Sequence, residues 1–322
     1  PTVLSELRAR LGDVVHLPGG TLWDATDEDI TSAARAAAAA DVAVLVLGER
    51  SGLTADAISG EARDRMDIGL PGRQQELLEV VVATGTPVVV VLIAGRPLAV
   101  PWAQQHCAAI LHAWVPGERG AEAIADVLTG AVNPGGKLPV TVPRHSGQIP
   151  VYYSHRPSGG HSNWRIEYQD GSNLPLWPFG FGRSYTTFDL ADLRLSTAVI
   201  AADGEVEISA TVRNSGDRAG DEVVQLYVRD VEASLTRPIK ELRGFARVGL
   251  EPGEQRTVTF TLAAEQLAFV DEPGSWLVEP GRFRLLVGTS SADLPLEAAL
   301  VVAGPARRIE ARSRYFTEVS VR

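Results

Sequence analysis

Glu61 stands in the run SGEARDRMDIGLPG, residues 59–72, behind Gly60 and beside Arg63 and Arg65. A glycine before it frees the backbone to turn, and a Pro–Gly pair at 71–72 closes the segment just before a helical pattern. Two readings of this loop are open. It is a solvated connection, or it presents a carboxyl group for acid–base work, which carboxylates usually perform in pairs. Glu49 is the second candidate, because Gly48–Glu49 follows a strand-like run and ligands gather at the carboxyl ends of strands in α/β sheets.

Other chemistry-bearing residues point less clearly. His106 and His112 flank a strand-like stretch, and His145, His155 and His161 are scattered with no ligand spacing, so no metal is implied. Cys107, the single cysteine, excludes an internal disulfide and reads as a small buried residue at the start of a strand. VPGERG lacks the glycine order and lysine of phosphate-cradling loops, leaving Gly117 and Gly120 as close-packing positions where a helix begins. Trp164, Tyr168 and Trp177 are buried anchors or sugar-stacking platforms; anchoring is the default for such rings.

The elements that must position these residues follow two patterns. Residues 1 to about 145 alternate helix and strand. Thr2 caps a helix carrying Val3, Leu4, Leu7 and Leu11 and ended by Gly12, and Thr26 with Asp29 caps an alanine-rich helix. DVAVLVLG, TPVVVVLIAG and AAILHAW read as buried strands, RQQELLEVVVATG and RGAEAIADVLTG as helices, and KLPVTVP as a further short strand. That alternation predicts a mostly parallel sheet with helices on its faces. From about residue 190, EVEISATVRNSG, DEVVQLYVRD, KELRGFARVGL, QRTVTFTL and GRFRLLVGTSS alternate with period two, predicting an antiparallel sandwich. The organisation expected is an α/β domain over 1–150, an aromatic connection over 151–188 packed on it, and a β-sandwich with a C-terminal tail over 189–322.

Composition bounds the function. The 322 residues suffice for two cores, and 45% hydrophobic with 22% charged residues is ordinary for a globular protein. A net charge of -10 disfavours nucleic-acid phosphates and anionic membrane surfaces as partners. The longest apolar runs, such as Val88 to Ala94, are too short to span a bilayer.

Five motifs resemble, in order, the C-terminal half of glycoside hydrolase family 3 β-glucosidases and β-xylosidases. They are SGEARDRMDIGLPGRQQELL, VVVLIAGRPLAV, AWVPGERGAEAIADVLTGAVNPGGKLPVTVPR, GQIPVYYSHRPSG and PLWPFGFGRSYTTF. VRNSGDRAGDEVVQLYVRD and RPIKELRGFARVGLEPGE resemble the family's fibronectin type III-like module. Phe181 and Arg183 depart from the residues common in relatives.

The resemblance implies an α/β sandwich followed by a fibronectin type III-like sandwich, joined in the family to an N-terminal (β/α)8 barrel. It implies a retaining hydrolysis of terminal β-D-glycosyl residues. The barrel's Asp is the nucleophile, and Glu61 matches the general acid/base, with Glu49 the runner-up and Arg63, Arg65 and Trp164 at the substrate. Glu61 would be protonated in the resting enzyme, so at least one of Arg63 and Arg65 is expected to face away from the site. No Ser-Asp-Trp nucleophile segment occurs in this sequence, and Pro1–Gly12 resembles a helix that follows an opening strand in the family. The expectation is that this chain alone does not hydrolyse glycosides and that its domain's first strand lies outside it. The implied partners are a β-glycoside, a barrel chain or fragment and, left open, a second copy as a homodimer. Nucleic acid, membrane, metal and cofactor are not implied. The rival from another class is a non-catalytic carbohydrate-binding or assembly module.

Overall fold

The computed structural model describes residues 1–157, 168 and 170–322, which form two compact units: residues 1–132 with 142–150, and residues 133–141 with 151–322.

The first unit opens on helix α1 (Val3–Leu11). The Thr2 hydroxyl accepts from Ser5 N at 3.1 Å while Thr2 N donates to Ser5 Oγ at 2.9 Å, so two of the amides that a helix start leaves unpaired find partners. The chain therefore opens on a helix, as expected, although of the expected apolar face only Leu7 is buried and Leu11 stays 60% exposed. Helix α2 (Asp27–Ala38) repeats the device with Thr26 and Asp29. There follow β1 (Ala43–Gly48), α3 (Gln74–Val82), β2 (Val88–Ile93), α4 (Pro101–His106), β3 (Ala109–His112) and α5 (Gly120–Thr129).

The three strands pair in parallel in the order β1-β2-β3, with Val44 opposite Val89 and Val90 opposite Ile110. Strand β2, in the middle, is buried through Val88, Val90, Val91 and Leu92, as its unbroken apolar run predicts. Helix α3 adds Leu77, Leu78 and Val81 to the core, and α5 adds Ile124 and Ala125. Arg10 ties α1 to α5 through Asp126 at 2.7 Å, and Arg73 ties α3 to the start of α2 through Asp27 at 2.8 Å.

Three features differ from the sequence reading. β1 alternates instead of burying both faces: Val44 and Val46, which share one face, are 37% and 47% exposed, while Leu47 on the other face is buried. Helix α4 was not foreseen; six residues are too few for a helical period to show, and Pro101 at its first turn is its main local mark. KLPVTVP forms no strand. Pro139 and Pro143 have no amide proton to give a ladder, and Leu138 instead exchanges hydrogen bonds with Gly180 and Phe181 in the second unit.

The second unit comprises β4 (Phe188–Leu195), β5 (Val199–Ala201), β6 (Glu205–Asn214), β7 (Gly220–Asp230), β8 (Glu241–Leu250), β9 (Gln255–Ala263), β10 (Phe269–Val270), β11 (Trp276–Val278), β12 (Gly281–Gly288), β13 (Leu296–Ala303), β14 (Arg307–Ile309) and β15 (Glu318–Val321). A five-stranded sheet, β5-β13-β12-β7-β8, accompanies a four-stranded one, β15-β9-β6-β4, and β10, β11 and β14 form a small third sheet. All their pairings are antiparallel except β5 with β13. Alternation along the strands brings Val206, Ile208, Val224, Leu226, Phe260 and Leu285 into one core.

Asn214 is wholly buried and fully used. It accepts from Thr186 Oγ1 at 2.7 Å and donates to the carbonyls of Arg218 and Leu250. The described part of the aromatic connection belongs to this unit rather than to the α/β unit. Tyr153 stacks on Phe179, meets Tyr227 edge-on and takes the Leu242 amide on its hydroxyl. Tyr153 thus packs on Phe179 within the connection and on Tyr227 of the β-sandwich. Trp177 is half-buried, Tyr168 is exposed, and Trp164 lies outside the described residues.

Candidate functional site

The loop between β1 and α3 starts on the sheet. Gly48 continues into Glu49, whose amide donates to Ile93 O at 3.0 Å, extending the β1–β2 ladder by one residue. Gly48 has φ 139°, and a Cβ there would sit 2.0 Å from the Ile93 carbonyl oxygen, so only glycine lets the chain leave the strand this close to its neighbour. Gln74 at the start of α3 holds both polar groups of Gly48, accepting from its amide at 2.8 Å and donating to its carbonyl at 3.0 Å.

Beyond Glu49 the loop folds on itself. Ser51 and Ser59 form a parallel bridge, their hydroxyls 2.7 Å apart, and Gly52 N donates to Ser59 O at 3.0 Å. Gly60 and Arg63 then pair around a tight turn whose two central residues are Glu61 and Ala62, the latter left-handed at φ 56°. Gly60 has φ 131°, and a Cβ there would come within 2.7 Å of Gly52 O. Glu61 is exposed at this tip, and its carboxylate has no ion-pair partner among the described residues.

The two arginines beside it are engaged elsewhere. Arg63 donates to the Ala55 carbonyl at 3.1 Å. Arg65 donates to Glu49 Oε1 and to Gly69 O, both at 3.0 Å, and its guanidinium lies 5.9 Å from the centre of the Trp23 ring. Arg96, just past β2, grips the same carboxylate through Nε, 3.2 Å from Oε1 and 3.0 Å from Oε2, and pairs also with Asp64. The Glu49 side chain is fully buried, whereas Glu61 is open to solvent. The Arg65 amide and then the Arg96 guanidinium hold the Asp64 carboxyl below the usual range. A cleft of about 410 Å³ opens beside this loop, lined in part by Trp23, Ile58, Ala62, Arg63 and Arg65.

Glu49, Arg96 and His112 all lie at the carboxyl ends of the parallel strands. His112 packs at 4.4 Å against Trp114, and burial pushes its imidazole down to about 4, with neither ring nitrogen hydrogen-bonded. Burial also pushes the Cys107 thiol up, away from nucleophile chemistry. Among the described residues no group of three His, Cys, Asp or Glu side chains is placed to hold a metal ion, and no helix is long and apolar enough to cross a membrane.

The structure therefore gathers Glu49, Arg63 and Arg65 around the Glu61 turn. It adds Trp23, Asp64 and Arg96, which the sequence reading had given no role. Arg96 lies three residues beyond the end of β2, in the same zone at the carboxyl ends of the strands that singled out Glu49.

The family described as the glycosyl hydrolase family 3 C-terminal domain matches residues 1–185, and the fibronectin type III-like domain matches residues 222–291. A periplasmic β-glucosidase of Salmonella typhimurium is 45% identical over 82% of this chain and 34% of its own length. A β-xylosidase of Formosa agariphila is 42% identical over 90% of this chain and 40% of its own. The crystal structure of a β-glucosidase from Listeria innocua in complex with isofagomine superposes with a TM-score of 0.85, at 36% identity, over 94% of this chain and 42% of that one. The chain thus spans well under half the length of these relatives.

Proposed function

The chain belongs to glycoside hydrolase family 3, as the C-terminal part of such enzymes, and from that premise we propose that Glu61 is the general acid/base of a retaining exo-acting β-glycosidase, most closely a β-glucosidase. The observation that carries this reading is the contrast between the two candidate carboxylates. Glu61 is exposed at the tip of a braced turn and has no ion-pair partner among the described residues, whereas Glu49 is buried with both oxygens held by guanidinium donors. A group that gives a proton to a leaving oxygen and takes one from water must reach both.

In this reading a barrel domain supplies the Asp that attacks the anomeric carbon of a terminal β-D-glucosyl residue. Glu61 protonates the leaving oxygen and then, as carboxylate, deprotonates the water that releases the sugar, the two carboxyl groups lying about 5–5.5 Å apart. Arg63 and Arg65 are turned to other partners, Ala55 O and Glu49. This chain without the barrel is inactive, and a purely carbohydrate-binding role is not favoured by relatives named as glycosidases.

The test is Glu61→Ala in the complete enzyme. Turnover of cellobiose-like substrates should fall by about 10²–10⁴-fold. The first step should be spared for activated aryl glycosides, whose leaving groups need no proton, and azide should restore turnover in place of the activated water. Full activity of that variant on cellobiose would overturn the assignment.

A further inference from the structure

We infer that Glu49 is a positioning residue, which fixes the Glu61 turn to the sheet by gripping Arg65 and Arg96. This rests on the reading of Glu61 as the acid/base. Glu61 lies in the short span Gly60–Asp64, and both ends of that span are fastened. At the near end, Ser59 is bridged to Ser51 and to Gly52 N. At the far end, Arg65 is fastened by Glu49 at 3.0 Å, and Asp64 by Arg96. Glu49 itself belongs to the rigid part of the fold, because its own amide continues the β1–β2 ladder. Its carboxylate is therefore the link through which strand geometry reaches the turn.

The charges make that link specific. Two carboxylates, Glu49 and Asp64, face two guanidiniums, Arg65 and Arg96; Glu49 pairs with both guanidiniums, whereas Asp64 pairs with that of Arg96 and meets Arg65 at its backbone amide. The Arg96 Nη2 atom is buried without a partner, so Glu49 is what holds this guanidinium in place from the sheet side. An amide at position 49 would keep the shape while leaving two cations facing each other, and the turn would loosen. Glu61 is four residues from Arg65, within about 14 Å of it even with the chain extended, so movement of Arg65 is transmitted directly to Glu61. Proton transfer is sensitive to such movement: a displacement of about 1 Å in a reacting group can cost about 100-fold in rate.

The experiment compares Glu49→Gln, Glu61→Ala and the double variant in the complete enzyme on two substrates, a cellobiose-like glucoside and a dinitrophenyl glucoside. Expected for Glu49→Gln is a 10- to 100-fold fall in kcat on the first and less than about threefold on the second. In the Glu61→Ala background the same change should add less than about threefold, since a misplaced acid that is already absent cannot be lost twice. Equal losses on both substrates, or full additivity with Glu61→Ala, would reduce Glu49 to a structural role and overturn the inference. Arg96→Lys keeps the Glu49–Arg65 pair and should give the same leaving-group dependence in milder form, so the question stays answerable if Glu49→Gln folds poorly. A separate reading comes from limited proteolysis of the complete enzyme: trypsin should cut after Arg63 and Arg65 at least about tenfold faster in Glu49→Gln. Unchanged cleavage would overturn the fastening itself. An active Glu61→Ala with faster cleavage would instead fault the acid/base assignment.

Discussion

Each unit carries a buried network of acids and bases, and only one of them serves an exposed carboxylate. In the α/β unit, Glu49 with Arg65 and Arg96 sits at strand ends and braces the turn that shows Glu61 to solvent. In the sandwich, Asp230 lies 3.7 Å from Arg237, and Glu241 holds Arg237 and Arg243 at 3.0 Å each. Arg237 also covers the Phe269 ring, and Arg312 the Trp276 ring. These sandwich charges pair with one another and lie over aromatic faces, although Asp230 Oδ1 and the Nε atoms of Arg237, Arg243 and Arg312 are buried without a hydrogen bond among the described residues. Buried ion pairs on their own therefore do not mark a site; the proposed role of the first network lies in fastening the turn that carries an exposed carboxylate.

The largest effect expected from this contrast is on turnover. Glu61→Ala should cost about 10²–10⁴-fold on poor leaving groups, while Glu241→Gln leaves kcat within about twofold at temperatures where it stays folded. A leaving-group-dependent loss in Glu241→Gln would erase the distinction between the two networks.

Stability should reverse the ranking. Phe260 is wholly buried in the sandwich core, and Phe260→Ala should cost about 3–5 kcal/mol in urea unfolding. Met66, 98% exposed in the Glu61 loop, should change stability by less than about 0.5 kcal/mol when replaced by Ala. A large destabilisation at Met66 would mean that the loop is itself part of a core.

The two units also carry buried titrating groups of opposite sign. Burial holds His112 down at about 4, so between that value and 6.5 the unfolded chain binds the extra proton and stability falls as pH is lowered. Burial pushes Asp230 up to about 6, so between 3.8 and that value the native chain binds the proton and stability falls as pH is raised. Each effect is on the order of 1–3 kcal/mol at full extent. Thermal midpoints from pH 7 to 4 should show the acid loss vanish in His112→Leu and deepen in Asp230→Asn. Identical profiles in both variants would contradict the opposed assignments.

What the sequence disclosed follows from how local each feature is. β2, α3 and α5 were legible because an unbroken apolar run or a helical stripe is written in consecutive residues, and β6 to β9 because alternation is. α4 was too short to show a period, and KLPVTVP has a strand's composition with prolines where a ladder needs amides. The site divides in the same way. Glu61, Arg63 and Arg65 share one loop and were read together. Arg96 grips Glu49 from 47 residues away, and no spacing in the sequence records a contact made only by folding β2 beside β1. The fastening of the aromatic connection, through Tyr153 to Tyr227 and Leu242, is nonlocal in the same sense.

The smallest predicted effect tests that locality. The Thr26 hydroxyl accepts from Asp29 N at 3.1 Å while Thr26 N donates to Asp29 Oδ2 at 2.9 Å, a closed pair made within four residues. The Thr26 hydroxyl and then its amide hold the Asp29 carboxyl below its usual range, as expected for an anion at a helix start. Thr26→Ala removes the acceptor and should cost about 1 kcal/mol, and Thr26→Ser, which keeps it, only a few tenths. Because the Thr26 and Asp29 side chains bond each other, the effect of Thr26→Ala should add to that of Arg96→Lys, whose contacts are elsewhere in the unit. Measured unfolding free energies of the two single variants and the double one decide this. Coupling beyond about 0.5 kcal/mol would show that the cap of α2 and the bracing of the Glu61 turn are one structure, and that the local reading of this helix was incomplete.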